Sequence, residues 1–506
     1  MSVDLIKNTI TASGAKEEID GEVIVNETVR LQDNMPSVQK VLFTSESVLV
    51  KGTESYMGGV AVNGEVHATV VYQGENGMLD SVNAVLPFEF LSDAPLKFGG
   101  SVYAVCEVAH LEVQPMKQRR IDLSANVKIK GFCADEIALN TLTEIAGIEG
   151  MNYKRDIQKL TFMRNKLSER ELNQSIPIGS ERPGKVFYSG AFLRDVSTNS
   201  SASGVLVNAL VELYALYTTF DEEDNVRYHS YNDTFVVNQF TEVEFGAAFD
   251  SFSVIPTVAM AAAQFVYNDA SEVELSISGT LSTQIILYNE IEFYAISDMY
   301  STKGELKVIS ESKGITYVAG VYEGNTTVTE TLKLKSGGLN KISGCSQNIE
   351  CEIEIEEDTA RIQGTIDASF LVLRNAEGDS EVLAVNKPFT IEQKIEGDPQ
   401  LFAYARLEAA EIDIVDDEAN IQFKISAIMV ASENRQYADI FDATLTHFED
   451  VDDNYVSIKV RYVKEGESLW NLAKENRTSI ANLLIANNIE AESSLKANQP
   501  IIIRNY

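Results

Sequence analysis

Ahead of the last fifty residues, apolar and polar side chains alternate with a period of two over most of the chain. That is the pattern of strands with one buried face. The alternation also repeats on a larger scale. Residues 62–73 (VNGEVHATVVYQ), 207–218 (VNALVELYALYT) and 362–373 (IQGTIDASFLVL) share one layout. Val66, Ala68, Val70 and Tyr72 in the first correspond to Val211, Leu213, Ala215 and Tyr217, then to Ile366, Ala368, Phe370 and Val372. Each segment is followed by a polar turn (GENG, FDEEDN, RNAEGD) and by a second strand with an aromatic residue, Phe88, Phe235 or Phe389. A long alternating pair then closes each repeat, as in SVYAVCEVAHLEV with RIDLSANVKIKGF, and reads as a hairpin.

The pattern predicts a mainly β protein with three tandem β-sandwich or barrel-like domains, each with its own core. The repeats place them at 1–133, 181–300 and 315–433. Where the alternation weakens, connectors are expected: 134–180, 301–314 and an acidic linker at 434–456. Within the first of these, RNKLSERELNQSI has polar helical character.

Residues 457–506 follow a different rule. A strand from about Ile458 to Val463 ends near Gly466, and Ser468 is placed to cap a helix that starts at Leu469. Leu469, Leu472 and Ala473 form its apolar face. Thr478 or Ser479 caps a second helix with Ile480, Leu483 and Leu484 inward, and Asn487–Asn488 ends it. Residues 499–503 return as a strand, which makes a small βααβ module.

Charge separates the two parts. The chain of 506 residues carries a net −35, yet residues 457–506 hold seven Lys or Arg against five Asp or Glu. The module is therefore net +2 and the scaffold −37. So acidic a scaffold argues against nucleic acid and anionic lipid as partners. The N-terminal stretch lacks a basic segment followed by an apolar run, so no secretory signal is expected, nor is membrane insertion. Cys106, Cys133, Cys345 and Cys351 form no CxxC pair and read as free thiols, with a Cys345–Cys351 disulfide as the alternative. His67, His110, His229 and His447 are far apart in sequence. The stripe Glu350, Glu352, Glu354 and Glu356 reads as a solvated sheet face, with Ca²⁺ binding as the alternative. No phosphate loop, HExxH or GxSxG occurs. No catalytic residue, metal or cofactor is expected, and a non-enzymatic scaffold is.

The C-terminal module resembles the LysM domain. Val463, Gly466, Glu467, Ser468, Leu469, Trp470, Leu472 and Ala473 match its opening motif. Leu483, Leu484, Asn487 and Ile489 match its middle motif; Leu495, Gln499, Ile501 and Ile503 match its close. Glu467 replaces Asp, Asn498 replaces a turn Gly, and Pro500 follows Gln499. The resemblance implies a groove with Gly466, Glu467, Ser468, Leu469 and Trp470 on one wall and Asn488, Ile489, Glu490 and Ala491 on the other. The family's usual ligand is an N-acetylglucosamine polymer. Trp470 then stacks on a sugar, buries into a protein partner, or simply fills the core.

The whole layout, three acidic β domains and one LysM, resembles the SipL/SPOCS family of clostridial spore-coat morphogenetic proteins. What this implies is an adaptor in the mother-cell cytoplasm, on the forespore surface in the spore coat. Its LysM would bind a coat morphogenetic ATPase, with glycan of the peptidoglycan or cortex as the alternative ligand. Other coat proteins, and self-association through exposed strand edges, are further expected partners.

Overall fold

The computed structural model describes residues 2–93, 100–117, 119–178, 182–243, 249–268, 272–336, 338, 340–395, 397, 399–447, 457–489 and 495–505. Six strands make the first unit: β1 (Asp4–Arg30), β2 (Val38–Tyr56), β3 (Gly59–Gly74), β4 (Leu79–Asp93), β5 (Ser101–Met116) and β6 (Arg120–Ala146). The second repeats them as β7 (Met151–Pro177), β8 (Arg182–Ser201), β9 (Gly204–Phe220), β10 (Val226–Glu242), β11 (Ser251–Tyr267) and β12 (Val273–Ser301). The third has β13 (Gly304–Lys333), β14 (Lys341–Glu356), β15 (Thr359–Leu373), β16 (Ser380–Lys394), β17 (Gln400–Val415) and β18 (Glu418–His447). Each unit holds two antiparallel three-stranded sheets with the same order, first-sixth-fifth and second-third-fourth.

The three repeated segments are the middle strands β3, β9 and β15. A middle strand is paired on both edges, so its side chains pack most completely. Val62, Val66, Val70 and Tyr72 are fully buried, as are Val207, Val211 and Ala215, and Ile362, Ile366 and Phe370. In units one and three the glycine of this strand lies opposite a phenylalanine, Gly64 with Phe88 and Gly364 with Phe389. A Cβ on Gly64 would lie 2.6 Å from the Phe88 ring, and one on Gly364 2.7 Å from that of Phe389. Each ring therefore covers a bare backbone. Unit two has Ala209, and its cross-strand partner is Val237, whereas Phe235 pairs with Val211. The expected equivalence of Phe235 with Phe88 and Phe389 is thus off by two residues, because Ala209 has no room for a ring above it.

The expected connectors are strands. Residues 134–146 finish β6, 151–177 are β7, and 304–314 begin β13. Residues 434–447 finish β18; the rest of the expected linker, 448–456, lies outside the described residues. The polar stretch from Arg164 belongs to β7, an edge strand paired with β12 alone. Charged side chains are tolerated on such an edge, and they blurred its alternation.

These segments carry the first and last strands of each unit beyond its sandwich. Among the described strands, past Ala134 β6 is paired with β1 alone and past Tyr288 β12 with β7 alone; past Ser432 β18 is paired with β13, and Thr444 adds a single bridge to Ser2. The three resulting ribbons pack on one another. Val3 and Leu142 of the first, Ile296 and Met299 of the second, and Ile440, Ala443 and Leu445 of the third form one buried cluster. Lys7 and Asp439 join the first and third at 3.0 Å. Ser13 Oγ accepts from the Met163 N–H at 2.9 Å between the first and second. Each unit also has an apolar core of its own, as expected, with Val66, Leu86 and Val127 in the first and Leu172, Val211 and Leu281 in the second. That of the third holds Ile366, Phe389 and Phe423 and also takes in Phe43 and Tyr188 from the other two. A further cluster draws Ala15 and Phe132, Met163 and Ile286, and Val318 and Phe402 from all three.

The second strands also meet. Phe43, Tyr188 and Gly344 are equivalent, since their partners Val71, Leu216 and Leu371 are the tenth residues of the repeated segments. Phe43 and Tyr188 pack edge to face at 5.7 Å. The Tyr188 hydroxyl donates to the Cys345 carbonyl at 3.2 Å, as does Ser45 Oγ at 3.1 Å. Cys345 and Cys351 lie six residues apart on one strand, roughly 20 Å, too far for a disulfide.

Candidate functional site

The C-terminal module comprises β19 (Ser457–Tyr462), α1 (Leu469–Glu475), α2 (Ile480–Asn487) and β20 (Pro500–Asn505), with β19 and β20 antiparallel. Ser468 Oγ accepts from the Asn471 N–H at 3.2 Å and caps α1; Ser479 Oγ does the same for α2 through Asn482 at 3.1 Å. Asn488 ends α2 at φ 53°, the left-handed conformation that Asn tolerates. Asn498 takes φ 64° where a turn glycine was expected, and its N–H reaches the Val463 carbonyl at 2.8 Å. Leu469, Leu472, Ala473, Leu483, Ile501 and Ile503 form the core.

The expected groove residues divide by role. Gly466 is exposed at φ 73°, with nothing within 4 Å of a Cβ built on it. Glu467 ties its own loop: its carboxylate accepts from Arg461 at 2.7 Å and from the Lys464 N–H at 2.8 Å. Ser468 is the cap and Leu469 is fully buried. Of the expected second wall, Asn488 is exposed and Ile489 packs against the same core cluster that holds Leu469. Glu490 and Ala491 lie outside the described residues. Asn487, a position matched by motif only, splices the two ends of the module. Its side chain donates to the Ile502 carbonyl at 2.7 Å and accepts from the Ile502 N–H at 2.6 Å.

Trp470 points away from these loops, into the scaffold. Its indole N–H donates to Asp298 Oδ2 at 2.8 Å, and its ring meets Tyr300 edge to face at 5.0 Å. Lys474, one turn on, holds both oxygens of Asp298 at 2.6 and 2.8 Å. The Tyr300 hydroxyl donates to the Thr478 carbonyl at 2.7 Å. Burial pushes the Asp298 carboxyl up, but the hydrogen bonds from Lys474 and Trp470 outweigh it and hold the group below its ordinary range. Burial and the charge of Asp298 push Tyr300 up to about 12. Asp298 and Tyr300 were not singled out from sequence. The only local sign is a bulge at Ile296/Asp298 in β12, which sequence alternation alone does not reveal.

The seat lies at the far end of the second ribbon, where β12 ends. Cationic Lys474 sits on an acidic scaffold, in line with the opposite charges of module and scaffold. No described helix is long and apolar enough to cross a membrane. No curated protein and no solved structure matches the chain. Residues 462–504 match the family described as LysM domain, so the chain carries a LysM domain at its C-terminal end, set on a mainly β scaffold.

Proposed function

We propose that this is a non-enzymatic binding protein whose LysM domain takes an N-acetylglucosamine-containing glycan, with peptidoglycan as the substrate class. The match of residues 462–504 to the LysM family carries the reading. The geometry supports it in one respect: Trp470 and Lys474 are spent on the scaffold, while Gly466 and Asn488, on the two expected groove walls, stay exposed. Calorimetric titration of the full chain with chitin oligomers and muropeptides tests it. Saturable heat that is lost when Gly466 and Asn488 are both replaced by bulky residues is expected. Absence of heat at millimolar ligand ends the proposal.

A second reading is an adaptor in spore-coat assembly, with the LysM domain binding a coat morphogenetic ATPase at the forespore surface. The observation in its favour is that one face of this LysM already docks on protein through Asp298 and Tyr300. Pull-down from sporulating cells, with and without residues 457–506, separates the readings. Loss of the ATPase on truncation supports the adaptor, and its retention removes the LysM from that role.

A further inference from the structure

Where the three units meet, the structure leaves a half-open pocket of about 450 Å³, lined by the second and fifth strands of every unit and by the third and fourth of unit one. This is within the roughly 300–1,000 Å³ range of small-molecule sites. Its origin lies in a difference between the repeats. Glu46, Ala191 and Gln347 are equivalent, being paired with Ala68, Leu213 and Ala368 of the middle strands. Counted from the bulge that each fifth strand carries, Glu107, Ala259 and Arg406 are equivalent too. Units one and three thus supply long polar side chains at both levels, and unit two supplies alanine. Ala191 lines the space so left.

The polar groups lining this space are incompletely paired. Glu46 Oε1 accepts from Ser346 Oγ at 3.3 Å, but among the described residues Oε2 has no partner, nor has Oε1 of Gln347. Arg406 Nη2 donates to the Val254 carbonyl at 2.7 Å, while its Nε and Nη1 find no partner among the described residues. Burial pushes the Glu46 carboxyl up to about 7, the mark of an acid lacking a counter-charge. Buried polar atoms are normally paired, and a set of orphans around one cavity marks what a ligand has to bring. Here the second strands lack donors, and the fifth strand of unit three lacks an acceptor.

We propose that the cavity binds a small zwitterion of amino-acid size, its ammonium facing Glu46 and Gln347 and its carboxylate facing Arg406. The ammonium supplies the donors and the carboxylate accepts from the guanidinium. This site is separate from the LysM domain and takes a ligand unrelated to glycan.

The test uses the full chain, with the standard L-amino acids and diglycine as probes at millimolar concentration, read by calorimetry and by melting temperature. At least one probe gives saturable heat and raises the midpoint. Ala191→Leu fills the cavity and abolishes both effects. Glu46→Gln keeps the shape but removes the charge, and weakens binding by about ten-fold or more. Circular dichroism establishes that each variant is folded. If no probe binds the natural protein, or if binding persists undiminished in folded Ala191→Leu, the proposal is overturned. Should Ala191→Leu not fold, unchanged affinity in Glu46→Gln overturns it equally.

Discussion

The indole N–H of Trp470 lies 2.8 Å from Asp298 Oδ2, which makes the chain's single tryptophan a reporter of how the LysM domain sits on unit two. Replacing Asp298 with Ala removes the partner of Trp470 and of Lys474 together. Hydrogen bonds to charged groups contribute roughly 1.5–3 kcal/mol each when buried, less at a half-exposed site such as this one. We expect docking to weaken by about 2 kcal/mol, with a red shift of tryptophan emission. Limited proteolysis should release the LysM domain faster, because its own core of Leu469, Leu472, Leu483 and Ile503 is untouched. Unchanged emission and unchanged proteolysis would show that the Tyr300 contacts suffice.

The same contact has a defined pH dependence. The folded-state value of Asp298 lies below its ordinary 3.8. A carboxyl shifted down contributes stability that is present above its ordinary value and lost as pH falls through the folded one. Tryptophan emission should therefore hold steady from neutral pH down to the ordinary carboxylate range and move red only below it. A transition near neutrality would mean that another group controls docking.

Two scaffold carboxyls run the opposite way. Burial pushes both Glu46 and Glu107 up to about 7, opposed weakly by Ser346 in the first and by Lys130 and Lys128 in the second. Between an ordinary value near 4.5 and this folded value, the native state holds protons that the unfolded chain has released. Stability must then fall as pH rises across that window and level off above it. Glu46→Gln removes one such group. It should leave stability unchanged at the acid end and raise it by roughly 1–3 kcal/mol above pH ~7, read as the denaturant midpoint against pH. A variant no more stable than the natural protein at alkaline pH would show that the carboxylate is solvated.

The legible parts of the fold are those where burial is symmetrical. Middle strands such as β3 and β15 bury one whole face, so Val66 to Tyr72 and Ile366 to Val372 announce themselves as period-two runs. The ribbons do not. Each is two strands wide and packs on other ribbons, and β7 carries Lys154, Arg155 and Lys159 there and Arg164, Lys166, Glu169 and Arg170 along the open edge of its three-stranded sheet, so it reads as a linker. The clusters shared between units were illegible for a related reason: alternation shows that a face is buried, never against which unit. In the LysM domain the cap Ser468, the second cap narrowed to Thr478 or Ser479 (Ser479 in the structure), and the left-handed Asn488 follow from local chemistry. The direction of Trp470 depends on Asp298 and Tyr300, more than a hundred residues away, and no local signal contains it.

At the junction of the second strands, three equivalent positions hold two rings and a glycine, and this arrangement is testable as a packing limit. An added Cβ on Gly344 would stand 2.9 Å from Tyr188 Cε1 and 3.2 Å from Phe43 Cε1, closer than carbon atoms rest. Neither ring has slack. Phe43 and Tyr188 pack on each other at 5.7 Å, and the Tyr188 hydroxyl is held by the Cys345 carbonyl. Gly344→Ala should therefore destabilise the scaffold by about 1–3 kcal/mol, the usual range for overpacking. Phe43→Leu alone should also destabilise, by loss of ring packing. Combined, the two changes should cost less than their sum, because the smaller side chain at 43 gives the new methyl its space. A double-mutant cycle in denaturant measures the difference, expected at about 1 kcal/mol in favour of the pair. Strict additivity would mean that the added methyl is relieved by movement of β14 itself, and that the three second strands are less tightly joined than their rings imply.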